Sequence, residues 1–418
     1  MGWFQILKYK QYINLGFIIQ YNLYTKPKTR NKKTIVIISI LITILLALLI
    51  KYIYDKNKIT LTLTKTNIEV YENIELKDII NENINLLNNK KIDTNELGEQ
   101  NIEIKYKNKI FTYKENIKLN IIDKEPPLIL ISNKWIEQHT NIDLVNSFLC
   151  ADNYDKRPNC YIEGYYNIEE IGEYNLKYIA IDSSNNKTEK KFTLTVYKKP
   201  EETNNNEPQE ESFVDFQDII KLHKGPNTSI GIDVSKWQGN IDFEAVKKAG
   251  CEFVIIKAAG SYIDGEMYTD PKFIENIENA LKNKLKVGVY FNSDANSVEM
   301  AKKEIEYILN LIKNYDIELG IAYDWENFTD FNSYNISLHD LNKMAETFLE
   351  EAKRNNYKPI LYSSQYYLEN IWNKNYDIWI ARYSDTNTYQ GDYIMWQLCS
   401  DGKIDGINAY VDIDIMYE

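Results

Sequence analysis

Eight short apolar runs fill the C-terminal half of the chain and limit its fold more than any other feature. They are 229–235, 253–259, 286–292, 318–326, 359–364, 377–383, 393–399 and 410–417. Amphipathic helical stretches separate the early runs, at about 242–250, 271–284, 295–313, 337–356 and 365–374. Apolar strands that alternate with helices are typical of a parallel sheet covered on both faces. The pattern predicts a closed α/β barrel of eight strands and about five helices, with little room for helices among the last three strands.

Acidic residues lie at the ends of these predicted strands. Asp233 ends the first strand, Asp324 and Glu326 end the fourth, and Asp412 and Asp414 lie on the eighth. The first and eighth strands of a closed barrel are neighbours, and residues two apart on a strand face the same way. No opposing Lys or Arg stands in these motifs, so the carboxyls should raise one another's pKa. Paired carboxyls of this kind perform glycoside hydrolysis, and the alternative is a set of ordinary polar strand ends.

Aromatic residues recur at the same strand ends, where flat rings suit stacking on sugar faces. They are Tyr290, Tyr362, Trp379, Tyr383 and Trp396. The alternative for each ring is a structural place in a layer of the barrel interior. Trp325 lies between the two acids, points away from them and is predicted to be core.

Five motifs in this half resemble the lysozymes of glycoside hydrolase family 25, in the family's order. They are GIDVSKWQGNIDF at 231–243, Asp-x-Glu at 324–326, WIARY at 379–383, MWQL at 395–398 and VDID at 411–414. The resemblance covers about 229–418 and implies a flattened eight-stranded barrel. It also implies cleavage of the β-1,4 bond between N-acetylmuramic acid and N-acetylglucosamine, so the expected partner is the peptidoglycan glycan strand.

The resemblance assigns roles by position. Glu326 is the expected general acid, and Asp324 is expected to orient the substrate acetamido group or to stabilise the oxocarbenium-like state. Asp233 and Asp412 complete the acidic cluster. The expected sugar cleft consists of Tyr290, Tyr362, Trp379, Tyr383, Trp396 and Gln397.

The sequence departs from the family at two strand ends. KAAGS at 257–261 lacks a Glu that the family often has, and VYFNS at 289–293 lacks a His. All four core acids remain. A non-catalytic wall-binding protein or adhesin with the same barrel is the alternative function, and loss of a core acid would have indicated it.

A run of 17 uncharged residues, 34–50, lies between Lys33 and Lys51. As a helix it would be roughly 26 Å long, which is enough to span a bilayer. Residues 1–33 hold seven Lys or Arg and no acid. The positive-inside rule therefore predicts a basic cytoplasmic segment at 1–33, a transmembrane anchor at 34–54 and extracellular domains after it. A cleaved signal peptide is the alternative, but no small-residue cleavage site follows the run.

The rest of the chain is acidic, since the whole chain has a net charge of -12 despite its basic start. This charge argues against a nucleic-acid partner. The expected location is the cell membrane, in a single pass. The sequence predicts no oligomeric state.

Two similar segments follow the apolar run. Residues 97–122 resemble 171–197, and each reads as two alternating strands joined by a polar turn. The repeat predicts β-sandwich modules at 58–123 and 124–199, and the second resembles bacterial immunoglobulin-like modules that act as spacers. The polar, acidic stretch after them predicts a flexible linker at 200–227, followed by the barrel at 228–418.

Cysteines and turn acids in the second module leave two questions open. Cys150 and Cys160 bracket a loop in the region predicted to be extracellular, where a disulfide persists if it forms. Asp152, Asp155 and Asp182 are compatible with calcium, but ordinary turn acids are the preferred interpretation. The three histidines have no metal-ligand spacing. Neither a metal nor a cofactor is predicted.

Overall fold

The protein is described by a computed structural model that covers residues 32–81, 84–199 and 213–417. It divides into two compact units, Met1–Ile122 and Asp123–Glu418. The predicted cytoplasmic segment, up to residue 31, lies outside the described residues.

The first unit begins with the apolar helix Lys32–Lys56, which has no buried residues. It is the one helix of the described residues that is long and apolar enough to cross a membrane, with a mean hydropathy of 2.8 over its apolar window. Its last turn packs on the sheet that follows. The Tyr113 hydroxyl donates to the Tyr54 carbonyl at 2.7 Å, and the two rings lie 4.6 Å apart. The helix therefore continues directly into a folded module.

That module contains one sheet of four strands, in the order β1-β4-β3-β2. The strands are β1 (Asn67–Glu69), β2 (Asn85–Leu86), β3 (Gly98–Asn108) and β4 (Phe111–Ile122), and a short helix spans Leu76–Ile79. Alternating residues of β3 bury one face of the sheet. The described residues of 58–123 thus form a single sheet with a short helix, not the two facing sheets of the predicted sandwich.

The second module is a sandwich of two small sheets. One sheet has the order β6-β10-β9-β8, and the other pairs β5 with β7. The strands are β5 (Leu128–Leu130), β6 (Lys134–Glu137), β7 (Leu149–Ala151), β8 (Asn159–Glu163), β9 (Gly172–Ile181) and β10 (Lys187–Tyr197). Their inner faces share a core that includes Phe148, Tyr178 and Leu194. A disulfide between Cys150 and Cys160 joins β7 of one sheet to β8 of the other.

The repeat in the sequence corresponds to a shared topology. Strands β3 and β4 form an antiparallel hairpin, and so do β9 and β10. In each module an early strand runs parallel to the last one, β1 beside β4 and β6 beside β10. The prediction of two related hairpins is therefore confirmed.

The remaining strands and helices build the barrel domain. The strands are β11 (Val214–Asp215), β12 (Thr228–Val234), β13 (Phe253–Ser261), β14 (Met267–Thr269), β15 (Lys286–Asn292), β16 (Gly320–Asp324), β17 (Pro359–Ser364), β18 (Asp377–Ala381), β19 (Met395–Lys403) and β20 (Val411–Tyr417). The α-helices are Phe216–His223, Phe243–Lys248, Phe273–Lys282, Val298–Ile312, Phe331–Tyr334, Leu338–Arg354 and Gln365–Asn370, with 3-10 turns at Lys236–Gln238 and Phe328–Asp330.

Eight of these strands close into a barrel, as the sequence predicts. Strands β12, β13 and β15–β19 run parallel, and β20 closes the ring between β19 and β12. Strand β20 is antiparallel to both of its neighbours. Its first residues therefore lie at the mouth where the other strands end.

Alternation along the strands separates two cores. The barrel interior holds one apolar cluster, with Phe253, Ile255, Ile360, Trp379 and Met395. The other cluster lies between the sheet and the helices and takes the intervening residues of the same strands. A side chain's position along its strand therefore decides whether it faces the interior or the helical layer.

The predicted linker at 200–227 is folded from residue 213 onward. Strand β11 pairs with Gly402 and Lys403 of β19. The helix Phe216–His223 buries Phe216 and Ile219 against the barrel. Residues 200–212 lie outside the described residues.

The second module packs directly on the barrel domain. Leu130, Leu149 and Ala151 belong to the same apolar cluster as the helical layer of the barrel. The amides of Leu338 and His339, at the start of a barrel helix, donate to the carbonyls of Asp152 and Asn153 at 2.8 and 3.3 Å. These contacts make 123–199 a docked module and not an independent spacer.

Candidate active site

Strand pairing brings the predicted acids to one mouth of the barrel. Asp233 of β12 lies opposite Asp412 of β20. Asp324 is the last residue of β16, and its register partners are Asn292 of β15 and Tyr362 of β17. Glu326 follows two residues later and is accessible to solvent. The structure therefore gathers Asp233, Asp324, Glu326 and Asp412 at the carboxyl end of the parallel strands.

Asp233 is held by a chain of hydrogen bonds that crosses the mouth. The Gln397 amide Nε2 donates to Asp233 Oδ2 at 2.7 Å. Gln397 Oε1 in turn accepts from the hydroxyls of Tyr362 at 2.8 Å and Tyr383 at 3.1 Å. Asp414 lies one inward-facing position below Asp412 and accepts from Trp379 Nε1 at 2.8 Å.

Asp324 is fixed from the side of β15. The amide Nδ2 of Asn292 donates to Asp324 Oδ2 at 3.0 Å, and the Lys257 ammonium donates to Asn292 Oδ1 at 3.0 Å. The backbone amide of Ser293 donates to the Asp324 carbonyl at 2.7 Å. Asp324 Oδ1 is buried and has no hydrogen-bond partner among the described residues. One carboxylate oxygen is thus held in place, and the other is buried without a hydrogen-bond partner among the described residues.

Burial raises the pKa of every carboxyl in this group, and repulsion by neighbouring acids adds to the rise at Asp233, Asp324 and Asp412. Burial, then the charges of Asp412 and Asp414, raise the pKa of Asp233 well above its usual range. Burial, then Glu326, do the same for the pKa of Asp324, against the opposing charge of Lys257. Burial, then Glu326, raise the pKa of Asp412 to about 6. Such a group retains protons near neutral pH, which proton donation requires.

Glu326 differs from the other acids in its exposure. It is reached by solvent from the mouth, yet the surrounding walls partly desolvate its carboxyl and raise its pKa, while Lys257 lowers it. An accessible carboxyl with a raised pKa beside a second, fixed carboxyl is the arrangement that glycoside hydrolysis uses.

Comparison of the sequence with known families matches residues 232–407 to "Glycosyl hydrolases family 25". These residues form a family 25 glycosyl hydrolase domain. The match covers most of the barrel and contains all the acids at its mouth except Asp412 and Asp414, which follow it. The prediction that the barrel belongs to this glycoside hydrolase family is confirmed.

Curated relatives of the family 25 domain include two lysozymes. The "Autolytic lysozyme" of Clostridium acetobutylicum is 27% identical over 188 residues, which are 44% of this chain and 54% of that protein. "Lysozyme M1" of Streptomyces globisporus is 43% identical over 60 residues, which are 14% of this chain and 19% of that protein. The chain thus spans about half the length of the first of these relatives.

Solved structures similar to this chain include a family 25 glycosyl hydrolase from Bacillus anthracis. The alignment is 23% identical, covers 47% of this chain and 92% of that one, and has a TM-score of 0.41. The modular autolysin LytC of Streptococcus pneumoniae is 20% identical, with 58% of this chain and 56% of that one covered and a TM-score of 0.41.

Most of the aromatic residues expected in the cleft surround the acids of the family 25 domain. The rings of Tyr362 and Trp379 lie 4.6 Å apart, and Tyr290 lies 6.2 Å from Trp379. Tyr362 and Trp379 are buried, so they form the floor of the mouth. Tyr383 is 58% exposed and stands at the rim, where its ring is free to meet a ligand.

Trp396 does not lie in the cleft. It precedes the inward-facing Gln397 on β19, so its ring points to the outer side of the barrel and joins the helical-layer cluster. Its Nε1 donates to the Arg382 carbonyl at 2.8 Å, and its ring meets that of His223 at 5.7 Å. The prediction of Trp396 as a cleft residue is therefore wrong. Trp325, by contrast, is fully buried, as predicted.

Lys257 is the site residue that the sequence argument missed. The acidic motifs contain no opposing cation, but β13 pairs with β15 and places the Lys257 ammonium beside the acids. Its ammonium also lies 5.8 Å from the centre of the Tyr290 ring. Alternation along β13 could have predicted this position, because residues 253, 255 and 257 all face the barrel interior. Asn292 and Asp414 follow the same rule on β15 and β20.

Two exposed aromatic residues extend the mouth beyond the predicted set. Trp237 lies in the 3-10 turn after β12 and is 75% exposed. Tyr410 lies just before β20 and is 39% exposed. The Gln238 amide donates to the Tyr410 carbonyl at 3.0 Å and joins the two segments. The Lys236 ammonium lies 4.8 Å from the centre of the Trp237 ring, and the Lys403 ammonium lies 5.0 Å from the centre of the Tyr410 ring.

Proposed function

We propose that the chain is a membrane-anchored muramidase that cleaves the β-1,4 bond between N-acetylmuramic acid and N-acetylglucosamine in peptidoglycan. The observation that carries the proposal is the cluster of interacting carboxyls, with Glu326 accessible and Asp324 fixed, at the mouth of a family 25 domain. The curated relatives that are named lysozymes support the same activity.

Glu326 is the proton donor in this proposal. Its raised pKa keeps the acid form available near neutral pH, and its exposure lets it reach the glycosidic oxygen. A bound sugar would exclude water from Glu326 and favour the proton there, whereas Asn292 and Lys257 stabilise the ionised form of Asp324. The two carboxyls thus titrate as a pair in the free enzyme. When substrate binds, Glu326 holds the proton and Asp324 is ionised.

Asp324 is the residue that stabilises positive charge at the anomeric carbon in this proposal. Its Oδ2 is held by Asn292, and its Oδ1 is buried without a partner among the described residues. We assign this oxygen as the acceptor for the acetamido N–H of a bound substrate. As the bond between the anomeric carbon and the leaving oxygen breaks, the nearby carboxylate stabilises the positive charge that develops on the sugar. Water then adds hydroxide to the anomeric carbon and returns a proton to Glu326, which closes the cycle.

Cell-wall digestion tests the proposal. The full chain, purified in detergent, should release soluble fragments from purified peptidoglycan. After borohydride reduction, mass spectrometry should locate the new reducing ends on N-acetylmuramic acid. Reducing ends on N-acetylglucosamine would contradict the proposed bond. Tight binding without released fragments would favour the alternative, a non-catalytic wall-binding protein.

Replacing Lys257 with Gln is expected to move the alkaline limb of the pH–rate profile to higher pH. Lys257 lowers the pKa of both Asp324 and Glu326, so its loss lets Glu326 keep its proton to higher pH. Initial rates at low concentrations of a soluble glycan fragment measure the profile. Lys282→Gln makes the same change of charge at an exposed residue, the last of the helix Phe273–Lys282, and should leave the limb in place. If the alkaline limb of the pH–rate profile of Lys257→Gln lay at the same pH as that of the wild type, this electrostatic role of Lys257 would be excluded.

The location follows from the first helix and the charges before it. Lys32–Lys56 exposes its apolar residues, and Lys and Arg without acids precede the run. We infer a single pass with residues 1–33 in the cytoplasm and with both β modules and the barrel domain outside, where the disulfide of the second module is stable. The immunoglobulin-like character of the second module is part of this proposal. The position suits an enzyme that acts on the wall from the membrane surface.

A further inference from the structure

Three buried carboxyls meet where the second module contacts the barrel domain. Asp123 precedes β5, Asp152 follows β7 and Asp182 follows β9. Their exposures are 6%, 1% and 5%, and one carboxylate oxygen from each lies within 4.8 Å of the other two. Three separate segments of the module thus deliver an acid to one small, dry space.

Local hydrogen bonds use only part of the oxygen atoms in this group. Asp152 Oδ1 accepts from the amides of Tyr154 and Asp155, at 2.9 and 2.7 Å. Asp152 Oδ2 and Asn153 Oδ1 are buried without a hydrogen-bond partner among the described residues. Asp182 accepts from the backbone and side-chain amides of Asn186 at 2.7 and 2.8 Å. An oxygen buried without a partner is costly unless something else binds it.

Two of the three carboxyls, those of Asp152 and Asp182, have no ion-pair partner in the part of the chain that the structure describes. Burial is the main cause that raises the pKa of Asp152, to about 6, and repulsion by Asp123 and Asp182 adds to it. Buried acids are normally paired or coordinate a metal.

We propose that Asp123, Asp152 and Asp182 bind one calcium ion. Calcium takes six to eight oxygen ligands and accepts carboxylates and amide oxygens from irregular loops. Magnesium keeps several waters in a strict octahedron, which a dry cluster of acids with 6% exposure or less accommodates poorly. The sequence pointed to Asp155 in place of Asp123, but Asp155 accepts instead from the Ser183 hydroxyl at 2.8 Å.

The ion would stabilise the docking of the module on the barrel. The ligand-bearing segment 152–153 is also the segment whose carbonyls accept the first amides of the helix Leu338–Arg354. A cation that orders this segment from inside the module therefore orders its contact with the barrel. The 3-10 turn Phe328–Asp330 and the short helix Phe331–Tyr334, which lie between Glu326 and that helix, also contact β7.

Calcium titration of the full chain tests the site. The chain is purified in detergent, treated with a chelator and titrated with calcium chloride in a calorimeter, and its Tm is measured with and without calcium. We expect one calcium per chain, a higher Tm with calcium and a smaller response to magnesium. Asp152→Asn should weaken calcium binding at least about tenfold. Asp155→Asn, in the same loop but outside the cluster, should bind calcium as the wild type does.

The chelated protein provides a second measurement that does not depend on binding. Without calcium the three carboxyls repel one another, so Asp152→Asn should raise the Tm of the chelated protein while it removes the calcium-dependent increase. Failure of the wild type to bind calcium at millimolar concentrations would overturn the proposal. So would an equal response to magnesium, or unchanged calcium binding in Asp152→Asn.

Discussion

Replacing Glu326 with Gln is expected to lower the rate of peptidoglycan hydrolysis by about 10²–10⁴-fold, the usual contribution of a general acid. Gln has the same shape but no proton of comparable acidity to give to the leaving oxygen. Because Glu326 is exposed at the mouth, the change leaves the barrel interior untouched. The measurement is the initial rate of fragment release by the full chain.

The control for this change lies on the same loop. Asp330 is also exposed, and Asp330→Asn removes the same charge four residues further on. It should keep the wild-type rate. Binding to insoluble peptidoglycan should be similar for both variants and for the wild type. A Glu326→Gln protein that still released fragments at the wild-type rate would refute the assigned role, even if the family and fold stand.

The barrel was predictable because its signal is repeated along the chain. Each parallel strand is buried on both faces and so reads as an apolar run, and the runs alternate with amphipathic helices. The acids at the ends of the first and fourth strands could be placed at the mouth because the pattern shows where those strands end. The antiparallel direction of β20 could not be predicted, because apolar content carries no information on strand direction.

The parts that sequence reasoning missed depend on contacts between distant segments. Lys257 meets the acids only because β13 and β15 are paired, and its own motif holds no acid. Trp396 was misplaced although alternation with Gln397 would have put its ring outside. The second module docks through few residues, among them Ala151 and Leu338. Nothing in the sequence distinguishes them from other residues of the module or of the helix.

The cluster of acids in the second module was also not predictable from the sequence, because it too depends on contacts between distant segments. Asp152 and Asp182 stood out in the sequence as turn acids, but a turn acid is common and carries little meaning alone. Asp123 lies in the connection before the module and becomes relevant only once the fold brings it to the other two. Burial, which distinguishes a site from a solvated turn, was not readable from residue types.

Replacing Trp325 with Ala is expected to destabilise the barrel by about 3–5 kcal/mol, the range for a large aromatic residue removed from a core. Trp325 is fully buried, and its Nε1 donates to the Ala295 carbonyl at 3.2 Å. Its ring packs on Phe328 at 5.0 Å and on Tyr334 at 5.2 Å. The substitution leaves a cavity and an unpaired carbonyl under the loop that carries Glu326.

Hydrogen exchange on the full chain can measure this loss where it occurs. Amides of β16 and of the helix Leu338–Arg354 should exchange faster in Trp325→Ala, whereas amides of the first module should not change. Trp237→Ala removes the same side chain from an exposed position and should change stability by no more than about 0.5 kcal/mol.

The three residues of Asp324-Trp325-Glu326 divide two tasks by alternating in direction where β16 ends. The acids face the mouth, where burial raises the pKa of both, and repulsion by Glu326 raises that of Asp324 further. Buried carboxyls of this kind are reactive and also costly to the fold. The tryptophan faces the helical layer, where its packing offsets part of that cost. Trp325→Ala should therefore lower activity together with stability, while Glu326→Gln should lower activity alone. If Trp325→Ala left the exchange of β16 unchanged, this division of tasks would be wrong.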